Sequence, residues 1–168
     1  MSNANALLAF ARETLEIELT EAQRLLARLD DNFVSACELL LNCRGKAVIS
    51  GIGKSGHIGK KIAASLASTG TPSFFVHPAE ALHGDLGMIG ADDVVVFISY
   101  SGRAKELDLI LPLLAENGIP VIAVTGGKES PLAQAAACVL DIGVEREACP
   151  MGLAPTSSAV NTLMMGDA

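Results

Sequence analysis

Residues 47–56 read AVISGIGKSG, and this stretch decides the fold class. Its apolar start predicts a buried strand, Ala47 to Ser50, and its glycines predict a tight turn into a helix. The same alternation continues along the chain, with further strands predicted at 73–76, 94–99, 121–125 and 139–142 and helices at 58–68, 104–115 and 131–137. Because the strands are continuously apolar, both sheet faces should be covered. The pattern predicts a three-layer, doubly wound α/β fold with a parallel five-stranded sheet.

Two helices are predicted before this region. Residues 5–29 carry a seven-residue repeat, and Asp30-Asp31-Asn32 predicts the cap of a second helix that continues to about Asn42. The repeat consists of Leu8, Leu15, Ala22 and Leu29, with Leu19 and Leu26 at the complementary spacing. This apolar stripe requires cover, either from the sheet or from another copy of the chain, and the sequence leaves both open.

Composition limits the classes of function. The chain has 168 residues, half of them hydrophobic, which is enough for one domain with its own core. The formal charge of −7 and the lack of a basic run argue against nucleic-acid binding. No apolar run approaches the roughly 18 residues of a membrane span, and no secretion signal is recognisable. We therefore expect a cytoplasmic protein with a small-molecule partner and four reduced cysteines.

Three segments at the ends of predicted strands are rich in glycine and small hydroxyl residues. They are Ser50 to Gly56, Ser99 to Gly102 and Thr125 to Ser130. In an open parallel sheet such ends converge on one edge, where backbone N–H groups, hydroxyls and helix N-termini attract an anion. The loops predict a phosphate site, although each of them is also compatible with a simple tight turn. The candidate ligands are Ser50, Gly53, Ser55, Ser99, Ser101 and Thr125.

The first loop also satisfies two nucleotide motifs in part. Gly51, Gly53 and Gly56 fit the dinucleotide fingerprint, but the second strand ends in Val76-His77 and lacks the acidic residue that the ribose requires. The Lys54-Ser55 pair resembles the end of a Walker loop, but Val48 stands where that motif needs glycine. Neither nucleotide function is therefore favoured, and no organic cofactor is expected.

Four further side chains near this edge are candidates for proton transfer or sugar binding. Glu106 starts the helix after the third strand, and Glu147 lies in the loop after the fifth. His77 and His83 flank a short segment after the second strand. Each has a structural alternative, because a glutamate at a helix start is often a capping charge. The spacing of His77, His83 and Asp85 fits no standard ligand pattern, so we predict no metal site.

Four stretches together resemble the sugar isomerase domain of bacterial D-arabinose 5-phosphate isomerases. They are Ser50 to Gly56, Ser73 to Gly87 (SFFVHPAEALHGDLG), Ser99 to Gly102, and Glu147 to Ser158 (EACPMGLAPTSS). The likeness extends over essentially the whole chain. Tyr100 and Arg103 make it more similar to the variant associated with glucitol-utilisation operons than to the one dedicated to lipopolysaccharide synthesis.

The resemblance implies interconversion of D-arabinose 5-phosphate and D-ribulose 5-phosphate through a cis-enediol, the first step towards 3-deoxy-D-manno-octulosonate. It makes Glu106 and Glu147 the acid–base pair, without deciding which meets the C2 proton. It makes Lys54 an active-site cation and places His77 and His83 at the sugar end. It also implies a homo-oligomer, a tetramer in the family. A sugar-phosphate sensor without catalysis is the alternative, which retention of both glutamates disfavours.

Two departures from the family pattern affect these expectations. Related phosphosugar loops continue with glutamate and then threonine or serine, whereas this chain has Arg103 and Ala104, so a hydroxyl is lost and a cation is gained. The chain also stops at Ala168, inside a helix predicted from about Thr156. The resemblance implies that the rest of this helix, a further histidine and a pair of CBS modules would follow. We therefore expect a single isomerase domain, residues 1–168, with little turnover of its own.

Overall fold

Five parallel strands form the centre of the molecule in a computed structural model that describes residues 3–168. The strands are β1 (Ala47–Gly51), β2 (Ser73–Val76), β3 (Val94–Ile98), β4 (Val121–Thr125) and β5 (Cys138–Asp141). Their spatial order is β2-β1-β3-β4-β5, and every neighbouring pair is parallel. The predicted parallel sheet is confirmed, with strand ends that differ by one residue at β1, β3 and β5.

Seven α-helices surround the sheet within the described residues. They are α1 (Asn3–Leu25), α2 (Asp31–Leu41), α3 (Gly53–Ser68), α4 (Pro78–Leu82), α5 (Leu107–Glu116), α6 (Pro131–Ala135) and α7 (Ser157–Asp167), with short 3₁₀ helices at Leu26–Arg28 and Asp85–Met88. The predicted cap of α2 is confirmed, since the Asp30 carboxylate accepts from the Asn32 amide at 2.9 Å. The prediction missed α4, because five residues are too few to show helical periodicity.

The start points of α3 and α5 differ most from prediction. Helix α3 begins at Gly53, five residues before the predicted Ile58, because the glycine-rich loop itself forms the first helical turns. Helix α5 begins at Leu107 rather than Ala104, since a turn precedes it in which the Leu107 amide donates to the Ala104 carbonyl at 3.0 Å.

Side chains from alternate positions of the strands fill two separate cores. On one face, Ile49, Val96 and Val124 pack with residues of α1, α2, α3 and α7. On the other face, Val48, Phe97 and Ala123 pack with residues of α4, α5 and α6. Both faces are thus covered, which explains why the strands are apolar at successive positions. The predicted three-layer arrangement is confirmed.

Helix α1 buries residues against the domain at its C-terminal end, and Glu13 in its middle pairs with Arg146 at 3.3 Å. Glu21, Ala22 and Leu25 are its buried residues. The leucines of the heptad stripe stay in solvent, unlike Ala22, with exposed fractions of 54% for Leu8, 58% for Leu15, 63% for Leu19, 70% for Leu26 and 44% for Leu29. Within residues 3–168 the sheet does not cover these leucines. Of the two alternatives, cover by the sheet is therefore wrong, and cover by another copy of the chain stays a prediction.

Candidate active site

A crevice opens at the carboxyl ends of β1 and β3. The chain turns one way from β1 to β2 and the other way from β3 through β4 to β5, so the strand order reverses between β1 and β3. Ligands of open α/β sheets bind at such a point. A cavity of about 240 Å³ lies there, lined by Ile52, Ser55, Phe97, Ile98, Ser99, Tyr100, Ser101 and Ala104. A second cavity of about 180 Å³ also borders Ser55 and Tyr100 and extends to Lys54, Pro155, Ser158 and Thr162.

The β3 loop, residues 99–106, presents two hydroxyl groups to the first cavity. The Ser99 hydroxyl oxygen accepts from the Gly102 amide at 3.2 Å, and that of Ser101 accepts from the Arg103 amide at 3.4 Å. Neither hydroxyl donates its proton to another group among residues 3–168. Both protons are therefore available to an anion, as the sequence predicted for this loop.

The fold leaves no room for a side chain at Gly102. Its φ of +63° lies in the left-handed region, and a Cβ there would come 2.0 Å from the Ser130 hydroxyl oxygen. The close approach of the β3 loop to the β4 loop, residues 126–130, thus requires glycine.

Helix α3 contributes its N-terminus to the same crevice. Gly53, with φ of +59°, opens the helix, and Ser55 borders both cavities. The first-turn amides of this 16-residue helix are unpaired within the helix and carry its positive end. Lys54 is exposed and forms no ion pair with residues 3–168, so its charge is available to the crevice.

The glycine fingerprint of this loop has a packing explanation. A Cβ at Gly51 would meet the Ile98 carbonyl oxygen at 3.0 Å, and a Cβ at Gly56 would come 2.7 Å from the Gly51 carbonyl oxygen. These two glycines let strand β1, the turn and helix α3 approach one another closely. The pattern is thus accounted for without a dinucleotide.

The hydroxyl groups of Ser50 and Thr125, both predicted ligands, donate hydrogen bonds to backbone carbonyls within the fold. The buried Ser50 hydroxyl donates to the Val76 carbonyl at 2.8 Å and joins β1 to β2. Thr125 is 0% exposed, and its hydroxyl donates to the Tyr100 carbonyl at 3.1 Å while accepting from the Gly127 amide at 3.1 Å. A hydroxyl has one proton to give, so neither residue is placed to donate to an anion.

His77, His83 and Glu106 lie on the α4–α5 side of the sheet. His77 caps α4, because its Nδ1 accepts from the Ala79 amide at 3.2 Å, which leaves Nε2 as the free ring nitrogen. His83 is exposed at the other end of α4. Glu106 is half-buried immediately before Leu107 of α5, and its carboxylate has no hydrogen-bond partner among residues 3–168. Its oxygens can therefore accept from a ligand.

Glu147 has a different environment, in the β5 loop formed by residues 142–156. Its carboxylate accepts from the Thr156 amide at 2.8 Å, the Thr156 hydroxyl at 2.9 Å, the Ser158 amide at 3.3 Å and the Ser158 hydroxyl. Burial would raise the pKa of Glu147, but the hydrogen bonds from Ser158 and Thr156 outweigh it and hold that pKa below its ordinary value. The ionised carboxylate thus caps α7 and lies one hydrogen bond behind Ser158, which lines the second cavity.

The sequence analysis assigned no role to Tyr100, Thr156 or Ser158. The hydroxyl residues at 156–158, just before an apolar run, are a helix-start signal that points to this cap in retrospect. Arg103 does not replace the hydroxyl missing at Ala104. Ala104 lines the 240 Å³ cavity, whereas Arg103 lines a separate cavity of about 550 Å³ together with Arg28 and Lys128.

The described residues contain neither a cluster of metal-ligating side chains nor a helix suited to a membrane. No three His, Cys, Asp or Glu side chains within 3–168 come together as metal ligands would. Over the same range, none of the helices combines the length and the apolar character that crossing a bilayer requires.

The fold and crevice define an open α/β domain whose switch point is lined by serine residues and the N-terminus of a helix. Comparison with known proteins gives the family: residues 40–168 match the SIS domain, and the chain belongs to that family. The chain is 69% identical over 165 residues to arabinose 5-phosphate isomerase GutQ of Escherichia coli K12, covering 98% of this chain and 51% of that protein. It is 59% identical over 158 residues to arabinose 5-phosphate isomerase KdsD of Pseudomonas aeruginosa, covering 94% of this chain and 48% of that protein.

Solved structures agree with this assignment. E. coli CFT073 c3406, solved in complex with arabinose 5-phosphate, matches with a TM-score of 0.93 and 41% identity over 99% of this chain and 88% of its own. The Vibrio vulnificus NanR protein complexed with ManNAc-6P matches with a TM-score of 0.78 at 19% identity over 97% of this chain and 60% of its own, which shows a common fold. The chain spans about half the length of the curated relatives it matches.

Proposed function

We propose that this domain interconverts D-arabinose 5-phosphate and D-ribulose 5-phosphate. The observation that carries the proposal is the pair of free hydroxyls on Ser99 and Ser101, facing Ser55 and the start of α3 across the switch-point crevice. This arrangement suits a phosphate monoester. The 69% identity to an arabinose 5-phosphate isomerase supports the choice of sugar.

Anchoring the phosphate fixes C1 and C2 of the open-chain sugar relative to the protein. A carboxylate then takes the proton from C2, which gives a cis-enediol once the carbonyl oxygen O1 has received a proton. Return of a proton to C1 and loss of the O2 proton complete the ketose. Lys54 stabilises negative charge that develops on the oxygens or the phosphate, and His77 Nε2 and His83 bind sugar hydroxyls.

Glu106 and Glu147 form the proposed acid–base pair, and their different environments suit them to different roles. Glu106 has free acceptor oxygens and is the better candidate to meet the C2 proton. Glu147 has a lowered pKa and four hydrogen bonds, which make it a weaker base and a fixed negative charge behind Ser158.

The proposed assembly is a homo-oligomer, as a tetramer is expected from the family. Its support is the row of exposed leucines on α1, since an apolar surface of this kind is typical of a contact between protein chains. The proposed location is the cytoplasm, which the four cysteines without disulfide bonds support.

The experiment is to incubate arabinose 5-phosphate with the chain in D₂O. NMR follows two quantities, the replacement of the C2 proton by deuterium and the formation of ribulose 5-phosphate. E. coli GutQ serves as the positive control. We expect both signals to depend on the protein, to develop far more slowly than with GutQ, and to disappear in the Glu106→Gln variant. Binding without any exchange at C2 would contradict isomerisation and favour a sensor.

A further inference from the structure

Tyr100 connects three loops at the carboxyl edge of the sheet. Its carbonyl oxygen accepts from the Gly126 amide at 3.0 Å and from the Thr125 hydroxyl at 3.1 Å, which ties the β3 loop to the β4 loop. Its phenolic oxygen accepts from the Val144 amide at 3.1 Å, which ties the β3 loop to the β5 loop. The reaction as proposed above uses none of these contacts.

The position of the ring depends on the neighbouring glycine. A Cβ at Gly126 would lie 2.8 Å from the Tyr100 ring, so only glycine lets the ring occupy this place. The ring lines the two cavities of the crevice and also the 550 Å³ cavity beyond it. The ring therefore lies between the β3 loop and the start of the β5 loop.

Several contacts hold the β5 loop in place after strand β5. The Val144 amide donates to Tyr100, the Glu145 amide donates to the buried Glu21 carboxylate at 3.0 Å, and the Glu147 carboxylate binds the start of α7. Glu21 lies in α1, and α7 contributes Ser158 to the second cavity. Tyr100 is the contact that links the loop to Ser99 and Ser101, its neighbours in sequence.

We propose that Tyr100 is a positioning residue that couples phosphate binding at Ser99 and Ser101 to the order of the β5 loop, and so to the placement of Glu147. The inference rests on the proposed function only in that the β3 loop binds a phosphate. When the anion fixes the two serines, it also fixes the residue between them. The Val144 amide and the segment leading to Glu147 then open less often.

Amide hydrogen exchange with inorganic phosphate tests this coupling. In the wild-type chain, phosphate at ten times its Kd should slow exchange of the Val144 amide by up to about tenfold, as expected for an opening that phosphate suppresses. In Tyr100→Phe, which keeps the ring and removes the phenolic oxygen, the Val144 amide should exchange about tenfold faster than in wild type without phosphate. It should not respond to phosphate.

Ser73→Ala is the matched control, because it removes one hydroxyl bond, to the Ala47 carbonyl at 2.7 Å, at the opposite edge of the sheet. It should leave the response of Val144 intact, whereas Gly126→Ala, which displaces the Tyr100 ring, should abolish it. An equal response in wild type and Tyr100→Phe would overturn the role of Tyr100. If calorimetry shows that phosphate binds but the Val144 amide does not respond, the coupling is overturned and the phosphate site stands. If phosphate does not bind, the assignment of the β3 loop as a phosphate site is overturned as well.

Discussion

Glu106 and Glu147 are both half-buried carboxylates at the carboxyl edge of the sheet, but only one of them is free. Glu106 has no hydrogen-bond partner within residues 3–168, while Glu147 accepts four hydrogen bonds from Thr156 and Ser158. Spacing along the chain could propose both as acid–base groups. It could not separate them, because the partners of Glu147 come from hydroxyls nine and eleven residues away.

Glu106→Gln should slow deuterium exchange at C2 by at least about a hundredfold, because the amide cannot take a proton while it keeps the shape of the pocket. The free energy of unfolding should stay within about 0.5 kcal/mol of wild type, since no hydrogen bond is lost. Exchange is followed by NMR and stability by urea titration.

Glu116→Gln is the matched control, an exposed carboxylate at the opposite end of α5. It should change neither quantity. Exchange at the wild-type rate in Glu106→Gln would show that another group takes the C2 proton.

Glu147→Gln should reduce stability at pH 7 by about 1–3 kcal/mol, because the amide presents N–H groups to donors that need an acceptor. The pKa of Glu147 is lowered by folding, so its contribution is present above the unfolded value of about 4.5. That contribution is lost as the pH falls through the lower folded pKa. The stability difference between wild type and variant, measured by urea titration, should therefore shrink below about pH 4.5. A difference that is constant from pH 7 to pH 3 would contradict the assigned hydrogen bonds.

Among the elements, α1 shows what periodicity predicts and what it leaves open. The seven-residue repeat predicted the helix correctly, but only the structure shows that Leu8, Leu15 and Leu19 remain exposed. Helix α4 shows the opposite case, since five residues give no periodic signal although they place His77 and His83. The hydrogen bonds of the Ser50 and Thr125 hydroxyls could not be predicted, because their partners, Val76 and Tyr100, are distant in sequence.

The triple variant Leu8→Gln, Leu15→Gln and Leu19→Gln should lower the mass measured by light scattering at micromolar concentration. The reason is that the exposed stripe is the proposed contact between copies, and each glutamine would be desolvated there. Glu16→Gln with Thr20→Gln, outside the stripe, should leave the mass unchanged. A wild-type chain that is already monomeric, or a triple variant of unchanged mass, would contradict this role of α1.

The whole molecule brings residues from five strand ends to one edge, and the strand order decides which of them face each other. The net charge of −7 does not prevent anion binding, because the remote carboxylates are screened beyond a Debye length of about 8–10 Å. In the proposed site, Lys54 and the α3 N-terminus supply the local positive field. The sequence predicted this sheet and the turns that follow β1 and β3, because strand runs and glycine turns are local signals. It could not predict the links through Tyr100 and Glu147, which depend on tertiary packing.

The central claim is that Ser99 and Ser101 anchor the phosphate of the sugar. Calorimetric titration with a non-reacting pentitol 5-phosphate tests it most directly, comparing wild type with Ser99→Ala/Ser101→Ala and with the control Ser65→Ala/Ser68→Ala at the far end of α3. We predict that the first pair weakens binding by about 2–4 kcal/mol, the loss expected for two hydrogen bonds to a charged group, while the control pair has no effect. Unchanged affinity in a folded Ser99→Ala/Ser101→Ala variant would contradict the account.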